Sequence, residues 1–196
     1  MKFSTVVISG VPGSGKGALA KKLSEKLGWK IFSKGELFRE MHKKKHPAGE
    51  VPFEEFWKSL SKEEQEEMDR KALEVLKSGN AIGDFRYAKS CEGIDALFIY
   101  VTAELEVRAN RAMNTGKYAG KSVEEIKRIL QAREEDEVKI GKELFGQDYD
   151  YRNLGDYNLI LDSGDLKIEE ELAIALGTLE GKDRKTILKE TVNLKV

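Results

Sequence analysis

The stretch Gly10-Val11-Pro12-Gly13-Ser14-Gly15-Lys16 decides the fold through its position between two different patterns. Before it, Phe3 to Ser9 is a mostly apolar run, which predicts a buried strand. After it, Leu19, Leu23 and Leu27 recur at four-residue spacing, which predicts an amphipathic helix. A glycine-rich turn of the form G-x-x-x-x-G-K in this context is typical of a phosphate-binding loop. Its glycines let the backbone wrap a phosphate, and the helix N-terminus and the lysine supply positive charge.

We therefore expect a phosphate chain to be bound by one continuous segment, consisting of Gly10, Pro12, Gly13, Ser14, Gly15, Lys16, Gly17 and Ala18. The alternative is a plain glycine turn that only joins a strand to a helix. The pattern usually continues with Ser or Thr after the lysine, where the hydroxyl binds Mg²⁺. Here Gly17 and Ala18 follow, so we expect Mg²⁺ to be held mainly by phosphate oxygens and water, which it readily accepts.

Composition sets limits on the class of protein. The chain has 196 residues with 34 Lys and Arg against 35 Asp and Glu, a net charge of −1. Such balance argues against a dedicated nucleic-acid binder, and no apolar stretch approaches the length of a membrane helix. A single cysteine, Cys91, suits a reducing compartment. We expect one cytoplasmic α/β domain.

Strand and helix patterns alternate along the chain, which predicts a mainly parallel sheet covered on both faces. The predicted strands are 3–9, 30–32, 80–83, 97–101 and 157–161. Ser61 with Glu64, and Ser122 with Glu125, predict capping boxes at two helix starts. The basic segment 181–196 is a tail that the patterns do not place.

Four further segments carry a family resemblance. They are Ser33 to Glu40, Asp84-Phe85-Arg86, Thr102 to Arg111, and Arg133 to Lys139. Together with the phosphate loop they resemble the P-loop nucleoside monophosphate kinases, most of all the archaeal-type cytidylate kinases. The resemblance implies a P-loop NTPase fold, a three-layer αβα sandwich with a five-stranded parallel sheet. It implies a kinase domain over 1–180, with a helical acceptor-binding insertion at 33–80 and a short helical lid at 112–142.

The same resemblance implies a role for several charged residues in these segments and in the phosphate loop. Arg39 and Arg86 would bind the acceptor phosphate, Arg108 would pack on the donor adenine and Arg111 would face the donor phosphates. The transferring phosphoryl group would be held by Lys16, Arg133 and Lys139, and Asp84 would contact Mg²⁺ through water. For Arg133 an alternative stays open, an i, i+4 ion pair with Glu137 on a solvated helix.

The function implied is transfer of the γ-phosphate of ATP, with Mg²⁺, to a nucleoside monophosphate, CMP or dCMP first, by a monomer. One alternative is an adenylate kinase or another small-molecule kinase on this fold. Another is a nucleotide-binding regulatory protein with weakened catalysis, because Ala18, Phe85 and Val138 depart from the family pattern. Phe85 replaces a glycine and raises the question of a crowded site.

Overall fold

The computed structural model describes residues 1–52, 55–56, 59–116 and 118–182. Its parallel sheet has five strands in the order β2-β3-β1-β4-β5. The strands are β1 (Thr5–Gly10), β2 (Lys30–Ser33), β3 (Ala81–Asp84), β4 (Leu97–Thr102) and β5 (Leu159–Asp162). The predicted strands are thus confirmed in number and direction, with ends displaced by one or two residues.

The central strand, β1, is buried along its whole length. Such a strand reads as a continuous apolar run, since both faces of a parallel sheet are covered. Its Val6 and Ile8 side chains join a core with helices on one face, and Val7 joins the core on the other face. The register pairs Ile8 with Asp84 in β3 and Gly10 with Val101 in β4. The carboxyl ends of all strands therefore lie at one edge of the sheet.

Helices cover both faces and confirm the three-layer αβα architecture. Their bounds are α1 (Lys16–Leu27), α2 (Lys34–Lys45), α3 (Lys62–Lys77), α4 (Leu105–Met113), α5 (Val123–Phe145) and α6 (Ile168–Leu179). Leu19 and Leu23 of α1 pack with Ile174 of α6 on one face. Leu76 of α3 and Cys91 pack on the other. Helices α4 and α5 pack against each other through a separate small core.

Helix starts follow the local sequence signals. Ser61 Oγ accepts from the N–H of Glu64, whose carboxylate accepts from the N–H of Ser61, so the predicted capping box is confirmed. The box formed by Ser122 and Glu125 is confirmed in the same way at the start of α5. Each box satisfies two N–H groups that have no partner within the helix. It thereby fixes the residue at which α5 begins.

Segment 33–80 contains a small apolar core of its own. Phe38 of α2 packs there with Phe56 and Leu60. The division into a kinase domain, an insertion and a lid stays a prediction. Of the basic tail, Gly181 and Lys182 lie within the described part of the chain, and residues 183–196 lie outside it.

Candidate active site

The phosphate loop joins the end of β1 to the start of α1. A Cβ at Gly10 would lie 2.1 Å from the carbonyl oxygen of Val101, so the neighbouring strand leaves room only for glycine. Gly13 and Gly15 have positive φ of 81° and 92°, which turn the backbone in a way that other residues resist. The first turn of α1 leaves its N–H groups without helical partners. Ser14 Oγ is buried and has no hydrogen-bond partner among the described residues. These features fit the phosphate chain of a nucleotide.

Lys16 reaches from the loop to the end of β3. Its Nζ lies 2.6 Å from Asp84 Oδ1, and both side chains are largely buried. The register places Asp84 beside Ile8 of β1 and beside Ser33 of β2, so the carboxylate lies at the sheet edge from which the loop starts. Lys16, which the sequence assigned to catalysis, and Asp84, which it assigned to Mg²⁺ through water, therefore form a direct ion pair.

Arg86 follows β3 and lies between the loop and α5. Its guanidinium donates to the carbonyl of Gly10, and its Nε lies 2.9 Å from Glu137 Oε2. Glu137 Oε1 also accepts from Arg133 Nε at 3.0 Å. The i, i+4 pair considered from the sequence is thus confirmed, and Glu137 also bridges Arg133 to Arg86. The Arg86 guanidinium carbon lies 5.6 Å from the centre of the Tyr151 ring, a cation–π distance.

Arg108 of α4 is buried beneath the loop rather than open to solvent. Its Nη1 donates to the carbonyl of Pro12 at 3.1 Å and to Glu134 Oε2 at 3.0 Å, and its Nε donates to the carbonyl of Ala103 at 2.9 Å. Glu134 also pairs with Arg152 at 3.3 Å. Helix α5 therefore supplies two carboxylates, one turn apart, to arginines that flank the phosphate loop.

Arg111, one turn further along α4, is bound to the loop that follows β5. Its Nη1 donates to Ser163 Oγ at 2.7 Å and its Nη2 to the Ser163 carbonyl at 2.5 Å. Ser163 Oγ is also within 2.7 Å of the carbonyl oxygen of Ser14, to which it can donate. A Cβ on Gly15 would lie 3.9 Å from Arg111 Nη1. Arg111 thus lies beside the phosphate loop, and its role toward the donor phosphates stays a prediction.

A network of tyrosines packs against Val11 of the phosphate loop and contacts Ser9 at the end of β1. Tyr157 OH donates to the Tyr151 carbonyl at 2.6 Å and lies 3.2 Å from Ser9 Oγ. Ser9 Oγ donates to the carbonyl of Arg86 at 2.6 Å. Burial raises the pKa of Tyr157 to about 12, with the Ser9 hydrogen bond opposing this. The phenol is therefore a neutral donor that fixes the backbone beside Arg86.

Arg39 and Lys139 are not brought into this cluster. Arg39 is exposed on α2, and its guanidinium lies over Gly35, where a Cβ would be 3.5 Å from Nη1. Lys139 is exposed on α5 and lies two residues beyond Glu137, which is about 200° around the helix. The roles assigned to these two residues from the resemblance stay predictions, and the structure offers Lys139 no contact with the loop.

Two departures from the family pattern have a packing explanation. Phe85 is 3% exposed and lies in the core with Leu76 and Cys91, so it does not crowd the loop. A Cβ on Gly83 would lie 2.6 Å from the Phe85 ring, which therefore packs on the strand backbone. Val138 packs against the tyrosine cluster around Tyr151. An arginine at 138 would be forced into apolar surroundings.

Magnesium fits this site only in the manner expected from the sequence. Gly17 provides no hydroxyl, and a Cβ there would lie 3.9 Å from Asp84 Oδ2. The described residues contain no group of three or more His, Cys, Asp or Glu side chains that could hold a metal ion. A single carboxylate beside the phosphate loop suits Mg²⁺, which keeps several waters.

Sequence reasoning missed two contributors to this site, Glu134 and Arg152. Glu134 binds both Arg108 and Arg152, and Glu137 binds Arg86 in addition to Arg133. Ser163 binds Arg111 and the carbonyl oxygen of Ser14. The two glutamates stood within the quoted segment Arg133 to Lys139, so their i, i+3 spacing was the available signal. Arg152 pairs with Asp150, two residues away, and with Glu134, 18 residues away, and no local pattern marked the second contact.

A lysine-bearing phosphate loop on the central strand, with arginines entering from β3 and α4, defines a P-loop phosphotransferase. The family profile described as an AAA domain matches residues 9–130. The cytidylate kinase of Methanopyrus kandleri is 32% identical, covering 89% of this chain and 92% of its own. That of Pyrococcus horikoshii is 33% identical, covering 91% and 89%. The chain belongs to the cytidylate kinase family, which confirms the predicted class of nucleoside monophosphate kinase.

Solved structures confirm the fold. An uncharacterized protein from Eubacterium ventriosum aligns with a TM-score of 0.65 at 14% identity, covering 91% of this chain and 99% of that one. Shikimate kinase from Acinetobacter baumannii aligns with a TM-score of 0.56 at 14% identity, covering 91% and 94%. At such identities the likeness establishes a shared architecture only.

Proposed function

We propose that this enzyme transfers the γ-phosphate of ATP to CMP or dCMP. The observation that carries the proposal is the convergence of Lys16, Arg86, Arg108 and Arg111 on one phosphate loop. Phosphoryl transfer between two anionic nucleotides needs positioning and charge neutralisation more than covalent chemistry. The choice of acceptor rests on the cytidylate kinase relatives.

In the proposed reaction, an oxygen of the acceptor phosphate attacks the γ-phosphorus and the bond to the β,γ-bridging oxygen breaks. Lys16 exchanges Asp84 for a phosphate oxygen and stabilises the charge that develops there. Asp84 would then face the water shell of Mg²⁺, which when bound neutralises part of the phosphate charge. Arg86 is placed beside Gly10 to meet the acceptor phosphate, and Arg111 to meet the donor.

The carboxylates on α5 explain how these cations stay in place before substrates bind. An unpaired guanidinium in a half-buried site is costly, and Glu134 and Glu137 compensate Arg108 and Arg86. Phosphate groups carry more charge and more acceptor oxygens than a carboxylate, so they can take over these donors. The arginines are therefore held near their working positions at all times.

Two of the three residues that suggested a regulatory protein with weakened catalysis, Phe85 and Val138, have a packing role instead. Phe85 and Val138 serve the two cores next to the site, so neither shows that a catalytic group was discarded. The described residues also keep the lysine and the arginines that surround the loop. An adenylate kinase stays distinct, because it requires AMP as the acceptor.

A coupled assay of ADP release tests the proposal, with ATP and Mg²⁺ fixed and CMP, dCMP, UMP, AMP and GMP supplied in turn. We expect the highest kcat/KM with CMP or dCMP. Preference for AMP would favour the adenylate kinase alternative. Nucleotide binding without turnover on any of these monophosphates would contradict the proposal and favour a regulatory protein.

The proposal includes a monomer acting in the cytoplasm. The described part of the chain has no helix of the length and apolarity that crossing a membrane requires. Light scattering at assay concentrations checks the oligomeric state, and a mass of one chain is expected. Twice that mass would contradict the proposed monomer, and a second copy of the chain could then contribute to binding of the acceptor.

A further inference from the structure

The carbonyl groups of the phosphate loop have an ordered set of partners. A loop that turns successive N–H groups inward points carbonyl oxygens outward, where they need hydrogen-bond donors. The carbonyls of Gly10, Pro12 and Ser14, at every second residue, are each contacted by a side-chain donor from outside the loop. The positive φ of 81° at Gly13 and 92° at Gly15 belongs to the same alternation. The loop therefore has an outer layer of donors, which its own sequence pattern does not include.

Arg108 of α4 directs its donors to acceptors of the protein itself. Its Nη1 donates to the Pro12 carbonyl at 3.1 Å and to Glu134 Oε2 at 3.0 Å, and its Nε donates to the Ala103 carbonyl at 2.9 Å. A Cβ on Gly13 would lie 3.2 Å from Arg108 Cβ, so the side chain packs on the loop from outside. Arg108 is 7% exposed, which leaves its guanidinium face little open area for a base. Stacking on the donor adenine, the role implied by the resemblance, does not suit this position.

Ser163, which follows β5, makes the corresponding contact two residues further along the loop. Its Oγ lies 2.7 Å from the carbonyl oxygen of Ser14 and 3.0 Å from that of Thr102, and it accepts from Arg111 Nη1 at 2.7 Å. Ser163 is 1% exposed, so water competes little for these bonds. A hydroxyl that accepts from a guanidinium is polarised toward donating its own proton. Ser163 thus ties the end of β5 to the phosphate loop.

Holding a carbonyl from outside the loop orients an N–H group on the opposite side. A trans peptide unit is planar, so the direction of one C=O fixes the direction of the next residue's N–H. The carbonyls of Pro12 and Ser14 therefore fix the N–H groups of Gly13 and Gly15. These two glycines would otherwise have the largest conformational freedom in the loop. A loop already held in its binding conformation loses less entropy when a phosphate binds, which raises affinity.

We propose that Arg108 and Ser163 are positioning residues for the phosphate loop, which orient the N–H groups of Gly13 and Gly15 toward the donor phosphates. Arg108 then acts on the donor through the loop, and the adenine binds elsewhere. The inference rests on the proposed function in one respect, the binding of a nucleoside triphosphate as donor. Loss of either contact should weaken binding of a phosphate chain, with or without a base attached, and should leave binding of the acceptor unchanged.

Isothermal titration calorimetry with three ligands tests this. The ligands are the magnesium complex of a non-hydrolysable ATP analogue, magnesium tripolyphosphate, which has neither base nor ribose, and CMP. The variants are Arg108→Lys, which keeps the charge but loses the planar fork of donors, and Ser163→Ala, which removes the hydroxyl. Arg128→Lys, at an exposed arginine of α5, is the matched control. Thermal melting verifies that each variant is folded, and Ser163→Ala carries the test if Arg108→Lys does not fold.

We expect Arg108→Lys to raise the Kd of the analogue and of tripolyphosphate by the same factor, about tenfold, and Ser163→Ala to raise both about fivefold. The Kd of CMP should not change, whereas a generally loosened fold would weaken all three ligands. Arg128→Lys should bind each ligand as the wild type does. A loss in Arg108→Lys that is confined to the analogue would show that Arg108 contacts the base, and would overturn the proposal. Unchanged binding of both phosphate ligands in the two variants would overturn it as well.

The same titrations separate this inference from the proposed function. Wild-type protein that binds the analogue and tripolyphosphate but not CMP would contradict the proposed acceptor, while the effect of the variants on phosphate binding would still decide the roles of Arg108 and Ser163. Wild-type binding of the analogue without binding of tripolyphosphate would overturn the inference, because the loop would then not hold phosphates by itself. Failure of the wild type to bind either phosphate ligand would overturn both.

Discussion

Lys16 Nζ lies 2.6 Å from Asp84 Oδ1, so the phosphate-loop lysine and the carboxylate at the end of β3 form an ion pair. The pair spans the two neighbouring strands β1 and β3, which the register brings together at Ile8 and Asp84. Both side chains retain some exposure, at 20% and 17%, so substrate can reach them without unfolding. Lys16 is therefore positioned before nucleotide binds.

Lys16→Ala tests the role of that charge. We expect kcat to fall by about 10²-fold or more, because the ammonium acts on charge that develops during transfer. Lys22→Ala, an exposed lysine of the same helix, serves as control and should keep full activity. Steady-state kinetics and circular dichroism melting check the result. A near-normal kcat in a folded Lys16→Ala protein would remove Lys16 from the mechanism.

Glu137→Gln tests the bridge between Arg86 and Arg133. The amide keeps the shape but loses the charge that holds both guanidinium groups, at 2.9 and 3.0 Å. We expect kcat/KM to fall by roughly tenfold and the effect to be non-additive with Arg86→Lys. Glu135→Gln, exposed on the same helix, is the matched control. Strict additivity in the double-mutant cycle would show that the two residues act independently.

Gly17→Ser tests whether the absence of a hydroxyl after Lys16 weakens the binding of Mg²⁺. A Cβ at Gly17 would lie 3.9 Å from Asp84 Oδ2, an ordinary contact, so the side chain fits. We expect the added hydroxyl to lower the Mg²⁺ concentration needed for half-maximal rate, because it supplies one more oxygen ligand. Gly17→Ala fills the same space without a hydroxyl and should leave that concentration unchanged. Equal behaviour of the two variants would contradict the prediction.

The buried carboxyl group of Glu171 in α6 predicts how stability changes with pH. Burial raises its pKa to about 7 when folded, against an ordinary value of 4.5, so between these values the folded state binds the proton more tightly than the unfolded state. The contribution of Glu171 to the free energy of unfolding therefore decreases from pH 4.5 to pH 7 and is constant above. The loss is on the order of 1 to 3 kcal/mol.

Urea denaturation of wild type and Glu171→Gln at pH 5 and pH 8 measures this contribution. We expect the variant to gain stability relative to wild type as the pH rises, and the gap to be widest at pH 8. Glu169→Gln should follow the wild type at both values. If the stability difference between wild type and Glu171→Gln did not depend on pH, the pKa of Glu171 in the folded protein would have its ordinary value, which would contradict the prediction.

The sequence predicted the sheet and the loop because both depend on local patterns. The buried run that became β1 and the leucine spacing of α1 each follow from one element's own periodicity. The capping boxes at Ser61 and Ser122 are equally local, since all their partners lie within three residues. The observed strand ends differ slightly from the predicted ones, because pairing with neighbouring strands, rather than propensity, sets where a strand stops.

The contacts among charged groups could not be predicted in this way. Arg108 and Glu134 are 26 residues apart, and Ser163 and Ser14 are 149 apart, so only the closed fold brings them together. The replacement of glycine by Phe85 suggested a crowded site, whereas the side chain turned into the core beside Leu76. The side to which such a residue points depends on the pleat of β3 and on the helix that covers it.

The position of β1 in the middle of the sheet places elements of the site on both sides of the phosphate loop. Strands β4 and β5 and helix α4 lie to one side, with Arg108, Arg111 and Ser163. Strands β3 and β2 and helix α2 lie to the other, with Arg86 and Arg39. A chimaera that exchanges residues 33–77 for those of a relative would replace α2 and α3 and keep Arg86 and the elements that carry Arg108 and Arg111. If the predicted acceptor-binding role of segment 33–80 holds, such an exchange alters which monophosphate the enzyme accepts.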